Sequence, residues 1–165
     1  MWLKQQFEQN DYKVQLPYYK DMNRVSIAEF LPGVMSQFKL DANTILVGHS
    51  AGAPLILSML ESTRQRIAKA VLVAGFSEPL EGDKDVILQD HYDWAKIREH
   101  ADEFIIINSD NDPWGCDDTQ GRKMFEKLGG TLVIRHDGHF GSKTMDQPYK
   151  EFPLLSNLLA LVPST

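Results

Sequence analysis

Three residue types that cooperate in nucleophilic catalysis occur in this chain in the order serine, acid, histidine. Ser50 stands in "VGHSAG", Asp110 and Asp112 in "SDNDPW", and His136 and His139 in "RHDGHF". A serine hydroxyl is a weak nucleophile and needs a base. A histidine takes its proton, and a carboxylate fixes the imidazole tautomer and stabilises the imidazolium that forms. The surroundings of Ser50 suit that role. An apolar run, "TILV", meets Gly-His-Ser-Ala-Gly, and a second apolar run follows. A serine on a sharp strand-to-helix turn needs small neighbours so that strand and helix can pack closely. A helix starting after Ser50 aims its amino-terminal dipole and the Ala51 N–H at the site, which favours a developing oxyanion. Pro54 falls in the first helical turn, where a missing N–H costs little.

The acid and the base each have two candidates. Asp112 precedes Pro113, which biases it to an extended backbone able to reach the next strand, so Asp112 is preferred and Asp110 is the alternate. His139 follows Gly138 and lies deeper in its loop, whereas His136 directly ends a strand. The Asp-rich loop matches part of a calcium-binding pattern through Asp110, Asp112 and Gly115. Trp114 and Gly121 stand where that pattern wants an oxygen ligand and a glutamate, so calcium is disfavoured. His136 and His139 lack a third ligand at useful spacing, and no metal is expected. Cys116 has no strained turn to present it as a nucleophile.

These residues need elements that bring them together. "TILVG" (44–48), "AVLVAG" (70–75), "FIIIN" (104–108) and "TLVIR" (131–135) are near-continuous apolar runs of strand length, as in parallel strands buried on both faces. Helical patterns lie between them at 51–61, about 93–101 and about 118–128, the last stopped by Gly129-Gly130. A short amphipathic helix over Trp2, Leu3 and Phe7 opens the chain, and one over about 153–162 follows Phe152. Ile27, Phe30, Leu31, Val34, Met35 and Phe38 form one helix face, which Pro32-Gly33 should kink or divide. "YKVQLPYY" (12–19) reads as a further strand stopped by Pro17. The alternation predicts an α/β fold with a doubly wound, mostly parallel sheet and right-handed crossovers. Sites in such sheets form beyond the carboxyl ends of the strands. Ser50, the Asp110–Asp112 loop and the His136–His139 loop each follow a different strand. Residues 76–91 form the longest non-periodic stretch and read as a surface loop or small lid.

At 165 residues the chain is read as one domain over residues 1–165, long enough to bury a core. Hydrophobic residues at 42% and charged residues at 24% fit an ordinary globular protein. The net charge is −6 and no cluster of Lys and Arg stands out, which argues against a nucleic-acid or anionic-membrane partner. No run is long enough to predict a membrane span, and no apolar signal core opens the chain. The single cysteine fits a reducing cytoplasm.

On "TILVGHSAGAPLIL", "AVLVAGFSEPL", "SDNDPW" and "DGHF" the sequence resembles the small α/β-hydrolases of the retinoblastoma-binding-protein-nine type. The resemblance implies an α/β-hydrolase three-layer sandwich. It implies Ser50 as nucleophile, Asp112 as the triad acid and His139 as the base. It also implies esterase-like activity on small acyl substrates, no cofactor and a short lid. Such proteins open with a buried strand and a His-Gly loop that donates a second oxyanion N–H. This sequence starts at Met1-Trp2-Leu3, inside the helix that would follow. A shortened N-terminus, or a homo-oligomer or partner completing the sheet, is therefore expected, with Ala51 left as the oxyanion donor.

The reading is a serine hydrolase acting on carboxylic esters or related acyl compounds through an acyl-enzyme. Trp114, Phe76 and Phe140 are candidate pocket walls, with ordinary packing as the alternative for each. The rival reading is a non-catalytic hydrolase-fold protein used for binding. A flavodoxin-like or nucleotide-binding fold ranks last, because no Gly-rich phosphate loop follows the first strand.

Overall fold

A computed structural model describes residues 2–20, 22, 24–80, 86–141 and 150–160. They form two compact units. One comprises residues 21–139, and the other joins residues 1–20 to 140–165.

The larger unit holds four strands, β1 (Ile45–His49), β2 (Ile67–Val73), β3 (Ala101–Ser109) and β4 (Thr131–Arg135). They pair in parallel in the order β1-β2-β3-β4. Val47 pairs with Val71, Val71 with Ile105, and Ile105 with Thr131. Each strand therefore lies beside the next one in sequence, and all four carboxyl ends emerge on one side. Between consecutive strands run α3 (Gly52–Ser62), α4 (Trp94–Glu99) and α5 (Asp118–Leu128), preceded by α2 (Ile27–Met35). α3 packs on β1 and β2, and α5 on β3 and β4, while α4 touches both helices. The apolar runs decide which strands are central. Val71, Leu72, Ile105, Ile106 and Ile107 are almost fully enclosed, each burial contributing about 1.5–3 kcal/mol. β1 and β4 form the edges of the sheet as described, and Val47 is 41% exposed.

Local chemistry explains the helix bounds. Ser26 caps α2 by accepting from the Glu29 N–H, and Asp93 caps α4 by accepting from the Lys96 N–H. Asp117 accepts from the N–H groups of Thr119 and Gln120 at the start of α5. Gly129 and Gly130 end α5 at φ 72° and 88°. A Cβ on Gly130 would lie 2.2 Å from the Phe104 carbonyl oxygen, so this stop also needs glycine for space.

Two expectations need correction. α2 runs continuously over Pro32 and stops at Met35. The proline removes a single N–H, and the Ser36 hydroxyl and Gln37 amide then take the Gly33 carbonyl, which closes the helix early. Residues 12–19 form no strand. Leu16 and Tyr18 of that segment are 56% and 87% exposed. A strand exists only where a neighbour takes its backbone groups, and no pairing partner lies beside this segment among the described residues.

In the smaller unit, α1 (Trp2–Glu8) packs against α6 (Pro153–Ala160). The expected end of α6 at residue 162 and the centre of the expected lid, 81–85, lie outside the described residues. Among the described residues, no helix is long and apolar enough to cross a membrane.

Candidate active site

Ser50 leaves the carboxyl end of β1 in the left-handed region, at φ 55°. For a residue with a Cβ this backbone is strained and persists only where its surroundings enforce it. The Ser50 N–H donates to the Val73 carbonyl at 2.9 Å, and its carbonyl accepts from the Ala53 N–H at 2.9 Å. These bonds pin the turn between β2 and the start of α3. The two motif glycines are not equivalent. A Cβ on Gly48 would sit 2.4 Å from the Gly52 carbonyl oxygen and 2.8 Å from Ile56 Cδ1, whereas one on Gly52 would meet nothing within 4 Å. Only Gly48 is sterically required. Ala51 is the N-cap of α3, and its N–H donates to no group among the described residues.

The acid loop and the histidine loop leave β3 and β4 side by side, and the two acids sort between the two histidines. Asp112 Oδ2 lies 2.6 Å from His139 Nδ1, with both side chains buried. Asp110 Oδ1 lies 2.6 Å from His136 Nδ1, with both side chains exposed. The buried pair has a braced backbone. Asp112 Oδ1 accepts from the Trp114 N–H at 2.9 Å, Asn111 Oδ1 from the Gly138 N–H at 2.9 Å, and Ser109 Oγ from the Asp137 N–H at 3.2 Å. Deeper in, Asn108 Nδ2 donates to the carbonyls of Gly75 and Cys116, tying the ends of β2 and β3 to the acid loop.

Around His139 the rings of Trp114 and His49 sit edge-on, with centroids 4.5 Å and 4.8 Å away. His49 Nε2 lies 2.8 Å from the His139 carbonyl oxygen. With Nδ1 facing Asp112, His139 keeps Nε2 for another partner. No hydrogen bond joins it to Ser50 among the described residues. Asp112, Cys116 and His139 also present ligand atoms within 4.8 Å of one another, a set that could hold a soft divalent cation. Two of the three are already bonded to each other through the short Asp112–His139 contact.

The other sequence candidates are placed as follows. Trp114 is 42% exposed and lies against His139, while Phe76 is buried after the end of β2. Phe140 belongs to the smaller unit, where its ring packs on Phe152 with centroids 5.4 Å apart. A groove of about 640 Å³ runs past Ser77, Gln89, Tyr92, Trp94 and Lys123, but neither Ser50, Asp112 nor His139 lines it. Sequence reasoning missed His49, Asn111 and Ser109. All three stand inside or beside the quoted motifs, and their polar side chains next to Ser50, Asp112 and Asp110 were the available signal.

The chain is 30% identical to the Bacillus subtilis protein YdeN over 131 residues, 74% of this chain, and spans 65% of that relative's length. Against the YdeN crystal structure the TM-score is 0.84 at 25% identity, covering 96% of this chain and 86% of that one. A YdeN-like protein of Pectobacterium atrosepticum follows, with a TM-score of 0.67 at 18% identity over 95% of this chain and 80% of that one. An Arabidopsis methylesterase has the same fold, with a TM-score of 0.60 at 12% identity over 96% of this chain and 90% of that one. These neighbours are α/β-hydrolases in fold, and the match of the serine hydrolase family to residues 1–160 assigns the chain to that family.

Proposed function

We propose that this chain hydrolyses small carboxylic esters or related acyl compounds, with Ser50 as nucleophile, His139 as base and Asp112 as the orienting acid, in the manner of the retinoblastoma-binding-protein-nine type. The observation that carries the reading is the buried 2.6 Å contact between Asp112 and His139 Nδ1. It selects the tautomer whose Nε2 can accept a proton. The strained backbone at Ser50 and the unspent Ala51 N–H support it.

In the first half-reaction Ser50 Oγ attacks the acyl carbon as its proton passes to His139 Nε2. The carbonyl oxygen gains the negative charge and takes the Ala51 N–H. His139 then protonates the leaving alkoxide as the carbon–oxygen bond breaks, which leaves an acyl-serine. In the second half-reaction water attacks that ester and gives its proton to His139. Collapse releases the carboxylic acid and returns the proton to Ser50. The water-mediated step needs no cofactor.

A non-catalytic role for the same fold is favoured only by the missing hydrogen bond between Ser50 and His139, a contact that often tightens only with substrate in place. A fluorophosphonate probe decides between the two. It should label Ser50 in the folded chain and not the Ser50→Ala variant. An unlabelled folded chain with no turnover of p-nitrophenyl acetate would overturn the hydrolase reading.

A further inference from the structure

We propose that His49 is a positioning residue, whose Nε2–H donated to the His139 carbonyl holds the histidine loop in register with the nucleophile turn. The inference rests on the hydrolase reading and deepens it.

The geometry is specific. His49 is the residue before Ser50, at the last position of β1. Its bond to the His139 carbonyl spans 90 residues at 2.8 Å. Among the described residues no other hydrogen bond joins residues 48–52 to residues 136–139. Asp112 fixes the Nδ1 edge of His139, but Asp112 lies in the loop after β3 and makes no hydrogen bond to β1 among the described residues. The His49 bond supplies that tie, because the residue that donates it is covalently joined to Ser50. The 4.8 Å edge-on contact between the two rings adds a second constraint on the same loop. An error of about 1 Å between nucleophile and base can cost about 10²-fold in rate, so one such bond is enough to matter.

The bond also sets the state of His49. Donation from Nε2 to the His139 carbonyl requires the proton to sit on Nε2. The groups that face it are His139 and Asp112. A second proton would place a cation beside the imidazolium that forms on His139 during acylation. The outer side of His49 is exposed, yet desolvation of its inner edge lowers its pKa below the ordinary 6.5, which opposes that second proton. His49 transfers no proton to substrate, since its Nε2–H is used by the His139 carbonyl.

Three variants at this exposed position test the tether. His49→Gln keeps an N–H near the position of Nε2. His49→Phe keeps the ring without the donor, and His49→Asn is polar but too short to reach. With p-nitrophenyl acetate, His49→Gln should stay within about 3-fold of wild-type kcat. The other two should lose about 10- to 100-fold in kcat with KM nearly unchanged. The downfield proton signal of His139 Nδ1 should persist in His49→Gln and broaden or vanish in His49→Phe and His49→Asn. That signal needs no turnover, so loss of the tether is distinguishable from absence of serine chemistry, which the fluorophosphonate probe reads separately. Wild-type kcat and an intact Nδ1 signal in His49→Phe would overturn the proposal. So would a His49→Gln variant as impaired as His49→Phe.

Discussion

The Trp114 N–H donates to Asp112 Oδ1 at 2.9 Å, so the two oxygens of this carboxylate have different duties. Oδ1 is held by the backbone of its own loop, and Oδ2 faces His139. This division predicts how Asp112→Asn fails. The amide oxygen will stay with the Trp114 N–H, which turns the NH₂ group toward His139 Nδ1. Nδ1 then becomes an acceptor, the proton moves to Nε2, and the base can no longer take the serine proton. On the proposed mechanism kcat for p-nitrophenyl acetate should fall about 10⁴-fold, with the fold intact by circular dichroism.

The nucleophile turn separates its two glycines. Gly48→Ala forces a methyl into the Gly52 carbonyl and should destabilise the fold by about 1–3 kcal/mol. Gly52→Ala meets open space in the first turn of α3 and should be neutral or stabilising by about 0.5–1 kcal/mol. Urea unfolding of the two variants reads the contrast directly. Equal losses would mean that the helix does not approach the strand as closely as described.

Asn108 braces the ends of β2 and β3. Its Nδ2 satisfies two buried carbonyls, and a Cβ on Gly121 would lie 2.8 Å from its Oδ1. Asn108→Leu removes both of these hydrogen bonds from a full core and should cost about 2–4 kcal/mol in urea unfolding. Because the Cys116 carbonyl belongs to the acid loop, activity should fall at temperatures where the variant is still folded.

Tyr92 gives the fold an alkaline limit. Burial pushes its phenol up from 10.0 to about 12. The folded value lies above the unfolded one, so the folded state keeps a proton that the unfolded chain releases. The stabilisation is complete below about pH 10 and is lost as pH rises through about 12, with a full size on the order of 2–3 kcal/mol. Wild type should therefore lose more stability between pH 9 and pH 11 than Tyr92→Phe, as measured by urea unfolding.

The sheet and its connecting helices were legible because continuous apolar runs such as Phe104–Asn108 can be satisfied only where both faces are covered. The segment around Leu16 was misread for the complementary reason. Alternation says what a strand could present to a neighbour and nothing about whether a neighbour exists. The choice between Asp110 and Asp112 rested on one proline, and the structure adds the pairing of each acid with its own histidine. His49 escaped notice because its partner is a backbone carbonyl 90 residues away, and a carbonyl leaves no mark in a sequence.

The position of β1 at the edge of the described sheet has a consequence for inactivation. Among the described residues Ser50 rides on the end of a strand with a single paired neighbour, while β2 and β3 are enclosed. Edge elements open locally at lower free energy than the centre. Amide protons of Leu46 and Val47 should exchange with solvent faster than those of Leu72 and Ile106. On heating, the nucleophile turn should lose its shape before the sheet melts, so hydrolysis should decline at a temperature where ellipticity is still native.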